Sequence, residues 1–192
     1  MSATCRHVLT LFGAALAAPS FSSIALAQTT NMSRITAYAF SFAALDGGDI
    51  RLVAHAGKPI LIVNTASLCG YTPQYTGLQE LWTRYRARGL LIVGVPANDF
   101  GGQEPGGAAE ISKTAHDDYH VSFPLAAKVV VKGPNAHPFY KWAALQRPGE
   151  TPRWNFHKYL VGRDGFITAS FTSAVEPLDP RVIAAIEQEL GE

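Results

Sequence analysis

Cysteine is scarce: the 192 residues hold two, Cys5 and Cys69. An excess of charge of one sign is also missing. The formal net charge is +1 and only 16% of residues are charged, so there is no electrostatic case for a nucleic-acid partner. No block of like charges marks a tail, and no internal repeat or low-complexity tract appears. Long apolar runs are lacking too. The run from Val8 to Ala18 is far shorter than the ~20 residues that span a bilayer, which argues against stable membrane insertion. What remains is a chain with 47% hydrophobic residues, enough for one compact domain with a proper core.

The short apolar run has another reading. Arg6 and His7 precede it, Pro19 and several serines follow, and Ala25-Leu26-Ala27 closes the segment. Those are the three parts of a secretory signal peptide, with cleavage expected after Ala27. The organisation predicted is a signal peptide over 1–27, a polar flexible leader over 28–36 and a single domain over 37–192, in an exported protein, periplasmic or secreted. Cys5 then leaves with the signal and Cys69 is alone, so no intramolecular disulfide can form. A single thiol outside the cytosol is exposed to oxidation. It is either a buried structural residue or a working one.

Cys69 sits in the stretch Ile60 to Pro73, I-L-I-V-N-T-A-S-L-C-G-Y-T-P. The run Ile60 to Val63 predicts a buried strand, and Tyr75, Leu78, Leu81, Trp82 and Tyr85 fall at helical spacing over Pro73 to Arg88. Thr72 is the expected N-cap, Pro73 suits the first turn and Gly89 ends the helix. The cysteine therefore lies between a strand end and a helix start, where unpaired N–H groups and the helix dipole favour a thiolate. That effect alone is too small for an efficient peroxidase or reductase.

The rest of the chain supplies a frame. Tyr38 to Phe42 and Ile50 to Val53, around Asp46-Gly47-Gly48-Asp49, read as a hairpin. Leu90 to Val95 is a second apolar strand, which makes a βαβ unit with two parallel, buried strands. The loop Pro96 to Gly107 is too rich in glycine and proline for regular structure, and no Lys-Ser or Lys-Thr follows it to cradle a phosphate. Helices are expected over Ala108 to Tyr119, Pro138 to Leu145 and, capped by Asp179, from Pro180 to Leu190. Val129 to Val131 reads as a short extended piece. Trp154 to Val161 and Phe166 to Phe171 read as a second hairpin about Gly162-Arg163-Asp164-Gly165. A βαβ half followed by a ββα half is an α/β, thioredoxin-like fold: a central mixed sheet flanked by helices, with an N-terminal β-hairpin and an inserted helix.

Three blocks of sequence go further. Asn64 to Thr72 (N-T-A-S-L-C-G-Y-T), Asn98 to Gly106 (N-D-F-G-G-Q-E-P-G) and Trp154 to Val161 (W-N-F-H-K-Y-L-V) resemble, in order, the signature blocks of the glutathione peroxidase family. The resemblance covers about Ala37 to Leu190. It implies that Cys69 is the peroxidatic residue and that Gln103, Trp154 and Asn155 complete a catalytic tetrad. The chemistry of those side chains agrees, because two amides and an indole are neutral N–H donors able to stabilise a sulfur anion or a leaving oxygen. Each also has a structural alternative, Trp154 as core filler and Gln103 and Asn155 as partners of turn backbone.

By the same resemblance the expected substrates are hydrogen peroxide and small organic hydroperoxides, in the response to oxidative stress. No cofactor is implied. Glutathione or another external thiol serves as co-substrate, since alignment puts His116 where thioredoxin-linked relatives carry a resolving cysteine. Other departures are Ala97 for a cysteine, Asp99 for a glutamine, Ser170 for a basic residue and Tyr71 for a lysine. They weaken the case for a dedicated contact to a glutathione carboxylate or a lipid phosphate. The short link from Arg147 to Arg153 lacks the insertion used by tetrameric relatives, so a monomer is expected. His116 and His120 are spaced i, i+4 as a metal pair would be, but no third ligand is in register and no metal is predicted. A thioredoxin-linked peroxidase, or a periplasmic binding or accessory protein that kept the fold without turnover, remain as rival readings.

Overall fold

Strand β3 (Ile60–Thr65) is buried along its whole length, and the sheet is assembled on it. In the computed structural model, residue 1 and residues 35–191 are described, so the signal peptide after Met1 and all but the last two residues of the leader lie outside the described residues. Strand β4 (Leu91–Pro96) pairs with β3 in parallel, from Ile60 with Leu91 to Thr65 with Pro96. On the other side β5 (Lys158–Val161) is antiparallel to β3, and β6 (Ile167–Phe171) is antiparallel to β5. The order is β4-β3-β5-β6.

Both faces are covered, which is why β3 and β4 read as continuous apolar runs rather than alternating ones. Successive side chains of a strand point to opposite faces, so each strand feeds two cores. Ile60, Ile62, Leu91, Val93 and Tyr159 enter one. Leu61, Val63, Ile92 and Leu160 enter the other. Helix α1 (Gln74–Tyr85) covers the second face through Tyr75, Leu78, Leu81 and Tyr85, joined by Val182 and Ile186. The inserted helix closes the first face with Phe139, Tyr140, Trp142 and Ala143, and Phe42 of the N-terminal hairpin packs with them. Burying one such side chain contributes about 1.5–3 kcal/mol. The Trp142 indole also donates to Ile35 O at 2.6 Å, tying the start of the described chain to this layer.

Several local expectations are corrected. The first hairpin is shorter, β1 (Ser41–Ala43) with β2 (Asp49–Arg51), because Ala37–Ala39 and Leu52–His55 form 3-10 turns that sink Ala37 and Leu52 into the core. Helix α1 starts at Gln74 and has no side-chain cap, since the Thr72 hydroxyl is used elsewhere. Helix α2 is only Ala108–Ser112 and widens into a π turn over Lys113–Asp118. Residues 129–131 join no strand; the Val129 N–H is taken by Pro96 O and that of Val131 by Asp99 Oδ2. The expected strand from Trp154 begins at Lys158, because Phe156 adopts a left-handed conformation at φ 62°. Helices α3 (Pro138–Gln146) and α4 (Pro180–Leu190) begin where expected, the latter capped by Asp179 Oδ1 accepting from Arg181 N at 2.9 Å.

Candidate active site

The C-terminal ends of β3 and β4 lie side by side, and both leave into the loops that carry the chemistry. After β3 the chain folds into a tight loop. The Cys69 N–H donates to Thr72 Oγ1 at 3.1 Å, the Thr72 hydroxyl donates to Ala66 O at 2.8 Å and the Thr72 N–H returns to Cys69 O at 3.0 Å. Thr72 is thus the pin of the cysteine loop rather than a helix cap. Cys69 is 7% exposed, and the Tyr71 N–H donates to its Sγ at 3.4 Å. The amide aimed at the sulfur comes from this loop, ahead of the first residue of α1.

The Gly-rich loop docks on the same spot. The Leu68 N–H, next to the cysteine, donates to Gln103 O at 3.0 Å. Gly101 and Gly102 take φ of 66° and 64°, a conformation that favours glycine, and a Cβ on Gly101 would stand 3.3 Å from Trp154 Cη2 and 3.5 Å from Gln103 Cγ. Asn98 Oδ1 accepts from the Glu104 N–H at 2.8 Å and braces the loop from within.

The third block arrives from before β5. Asn155 is fully buried and its Nδ2 donates to Gln103 Oε1 at 2.9 Å. Accepting through Oε1 orients the Gln103 amide and leaves its Nε2 as a donor. Trp154 is 39% exposed and its ring tilts against Phe100, centroids 6.1 Å apart. Gln103 and Asn155 are therefore joined side chain to side chain. Gln103 meets the cysteine loop through its carbonyl, and Trp154 joins the group through Phe100 and the glycine turn.

Two elements of the site were not singled out from the sequence. Asn64, fully buried at the end of β3, donates from Nδ2 to Trp154 O at 3.1 Å while its own carbonyl accepts the Phe156 N–H at 2.6 Å. This clamp holds Phe156 in its left-handed geometry, which costs on the order of 1–3 kcal/mol in a non-glycine residue. The second is Glu104, whose buried carboxylate oxygens have no close hydrogen-bond partner. Burial raises its pKa, while nearby Ser67 and Lys128 pull the other way. Thr65, Ser67 and Tyr75 leave buried hydroxyls unpartnered, and Glu104 and Thr65 both act on the Tyr75 hydroxyl. The visible signals were a polar Asn-Thr pair ending an apolar strand and a lone acid beside Gln103.

The departures also have places. Ala97 is packed in the core, the Asp99 carboxylate holds the Val131 amide, and Ser170 Oγ lies 3.1 Å from His157 Nε2. Exposed His116 meets Ser112 Oγ at 3.1 Å in the π turn. His120 lies beyond the helix with φ 54°, so the two histidines share no helical face. Among the described residues no group of three His, Cys, Asp or Glu could hold a metal ion.

A cysteine in the first strand-to-helix loop of a thioredoxin-like fold, with the Gln103 carbonyl bound to that loop and Asn155 bound to Gln103, is the arrangement of a thiol peroxidase by class. Comparison with known proteins narrows this. The family model for glutathione peroxidase matches residues 37–144. The hydroperoxy fatty acid reductase gpx1 of Synechocystis is 45% identical over 170 residues, covering 84% of this chain and 99% of the relative. The glutathione peroxidase-like peroxiredoxin GPX5 of Chlamydomonas reinhardtii is 43% identical over 143 residues, 73% of this chain and 88% of the relative. The crystal structure of T. cruzi GPX1 superposes with a TM-score of 0.66 at 29% identity, over 82% of this chain and 97% of that one. The chain belongs to the glutathione peroxidase family, and thiol-dependent reduction of peroxides is its activity.

Proposed function

We propose that Cys69 is the peroxidatic nucleophile and that Gln103, Asn155 and Trp154 serve it as hydrogen-bond donors. The Cys69 thiolate attacks the terminal oxygen of a hydroperoxide, the S–O bond forms as the O–O bond breaks, and the departing alkoxide or hydroxide takes up a proton. Cys69 is oxidised to the sulfenic acid and the peroxide is reduced to an alcohol or water. Donors fixed before the reaction lower the barrier because they need not reorganise as charge moves to the leaving oxygen. The contact from Asn155 to Gln103 Oε1, with Gln103 O bound to the residue before the cysteine, carries this reading.

Regeneration is by an external thiol, with glutathione as the reductant. Among the described residues Cys69 is the only cysteine, and the family resemblance aligns His116 with the position of a resolving thiol. One thiol condenses with the sulfenic acid to a mixed disulfide and releases water; a second attacks that disulfide and frees Cys69 with formation of the external disulfide. The signal-like segment before Gln28 supports an exported location, and the short link between Arg147 and Arg153 supports a monomer.

Steady-state peroxide consumption with glutathione and with reduced thioredoxin, side by side, tests the proposal. Turnover with thioredoxin and none with glutathione would overturn the choice of reductant. Intact mass after one equivalent of peroxide should show rapid gain of one oxygen at Cys69, and a protein that only binds would show none. Cys69→Ser should stay folded and lose all peroxide reduction.

A further inference from the structure

Lys158 opens β5, is fully buried and lies outside the donor group of Gln103, Asn155 and Trp154. Its backbone is pinned in the sheet, paired with Val63 of β3 and Phe171 of β6. From that fixed stem the ammonium donates to Phe156 O at 2.7 Å, to Gln74 Oε1 at 2.7 Å and to Val175 O at 2.8 Å. An ammonium has three N–H groups and no acceptor, so all of its capacity is spent on uncharged oxygens. The partners belong to different parts of the site's support. Phe156 O is the carbonyl side of the left-handed turn that follows Trp154 and Asn155, and Asn64 O already holds its amide side. Gln74 is the first residue of α1, directly after the cysteine loop, and its Nε2 donates onward to Ser173 O at 2.8 Å and to Glu176 Oε1 at 3.2 Å. Lys158 therefore couples the turn of Asn155 to the helix that follows Cys69.

Loss of one proton breaks this arrangement. A neutral amine has two N–H groups and a lone pair, so one of the three buried oxygens loses its donor and faces the lone pair instead. Burial brings the Lys158 pKa down from 10.5 to about 7, against the pull of the Glu176 carboxylate. Glu176 is exposed on the segment before α4, and His157, next to Lys158 in the chain, stays neutral down to about 4. The other elements packed here present Gln74, Val63 and Phe171, none of which titrates. The change of charge near neutrality therefore belongs to Lys158.

We propose that Lys158 is a positioning residue of the peroxidase. As an ammonium it locks the Trp154–Phe156 turn to the start of α1; as an amine it releases the turn, and Asn155 and, through it, Gln103 lose their alignment at the cysteine loop. The inference rests on Cys69 as the peroxidatic residue. It adds a brace, set by one proton, that touches neither the sulfur nor the peroxide.

Stopped-flow oxidation of Cys69 by hydrogen peroxide, from about pH 5.5 to about 8.5, compares the wild type with Lys158→Met, which keeps the stem and removes the ammonium. Ionisation of the thiol is common to both proteins and drops out of the ratio of their rates. That ratio is expected to be about tenfold or more at the acid end, where the lock is closed, and to fall towards one as Lys158 loses its proton. Glu176→Gln, an exposed change that keeps an acceptor for Gln74, should move the wild-type fall to lower pH; it decides the matter should Lys158→Met fail to fold. In heteronuclear NMR spectra the Trp154 indole N–H should shift with the same midpoint as the Lys158 Cε–H signal, a coupling that a merely structural lysine does not produce. A rate ratio constant across the range, a fall unmoved in Glu176→Gln, or an indole signal indifferent to Lys158 would overturn the brace. Failure of the wild type to oxidise Cys69 at any pH would instead count against the peroxidatic reading, and the spectra would still decide the brace.

Discussion

Asn155 Nδ2 donates to Gln103 Oε1 over 2.9 Å, joining two side chains 52 residues apart. The contact fixes which edge of the Gln103 amide is free, so in the proposed mechanism Asn155 acts partly through Gln103. Removing one preorganised donor from a site of this kind typically lowers kcat by about 10²–10³-fold. Gln103→Ala and Asn155→Ala are each expected to fall in that range. The double variant should lose little more than either alone, because residues that share one hydrogen bond are not additive. A double-variant loss equal to the product of the single losses would show that the two amides act independently.

The β-strands and the two helical faces were legible because their signal is local: continuous apolar runs for β3 and β4, and three- and four-residue spacing in α1. The same locality explains what was missed. Thr72 looks like a helix cap when only its neighbours are read, but its hydroxyl answers to Ala66 O and Cys69 N, which the fold of the loop brings to it. Trp154 to Phe156 have the composition of a strand, yet Asn64 holds both the Trp154 carbonyl and the Phe156 amide and forces a turn there. Resemblance of motifs pointed to Gln103 and Asn155, whereas their mutual hydrogen bond is a property of three loops meeting. Glu104 carried no periodicity and no partner in sequence, and its burial emerges only when the Gly-rich loop folds over it.

Gly94 illustrates a constraint of packing rather than of backbone conformation. It lies in β4, where the segment 123–126 crosses close by: its N–H donates to Pro124 O at 3.0 Å and its carbonyl accepts from Ala126 N at 2.8 Å. A Cβ there would stand 2.5 Å from Leu125 Cδ2 and 3.3 Å from Phe123 Cε2, both on buried side chains. Gly94→Ala is expected to destabilise by about 1–3 kcal/mol, the usual cost of overpacking. Adding Leu125→Ala should recover part of that loss, although it is destabilising by itself. Urea unfolding of the four proteins in the cycle measures the coupling, and its absence would show that the strand yields instead of the leucine.

Glu104 should make stability fall as pH rises. Burial favours its neutral form, so its folded-state pKa is raised. A raised carboxyl contributes its full stability below the unfolded value and loses it as pH climbs through the folded value. Glu104→Gln cannot ionise, and it keeps the shape of the neutral acid. Chemical unfolding at several pH values should find the variant gaining on the wild type as pH increases, with the gap closing at acidic pH. A gap that stayed constant with pH would mean that the carboxylate finds compensation in its charged form.

His157 acts in the opposite direction. It is 4% exposed, edge-on to Tyr159 at 4.6 Å and against Ser170 Oγ at 3.1 Å. Desolvation, reinforced by the neighbouring Lys158 charge, lowers its pKa from 6.5 to about 4. The folded protein therefore keeps this imidazole neutral at pH values where the unfolded chain binds a proton. Its contribution is complete above about 6.5, shrinks as pH falls, and is exhausted near the folded value. A shift of this size is worth about 3 kcal/mol across that window. Half-buried Asp179, held down to about 2 by Arg181, titrates below the window and does not confuse it. His157→Asn keeps a polar group toward Ser170 and removes the titration. Wild-type unfolding free energies measured between pH 7.5 and 4.5 should decline more steeply than those of the variant, and parallel profiles would show that the imidazole is protonated equally in both states.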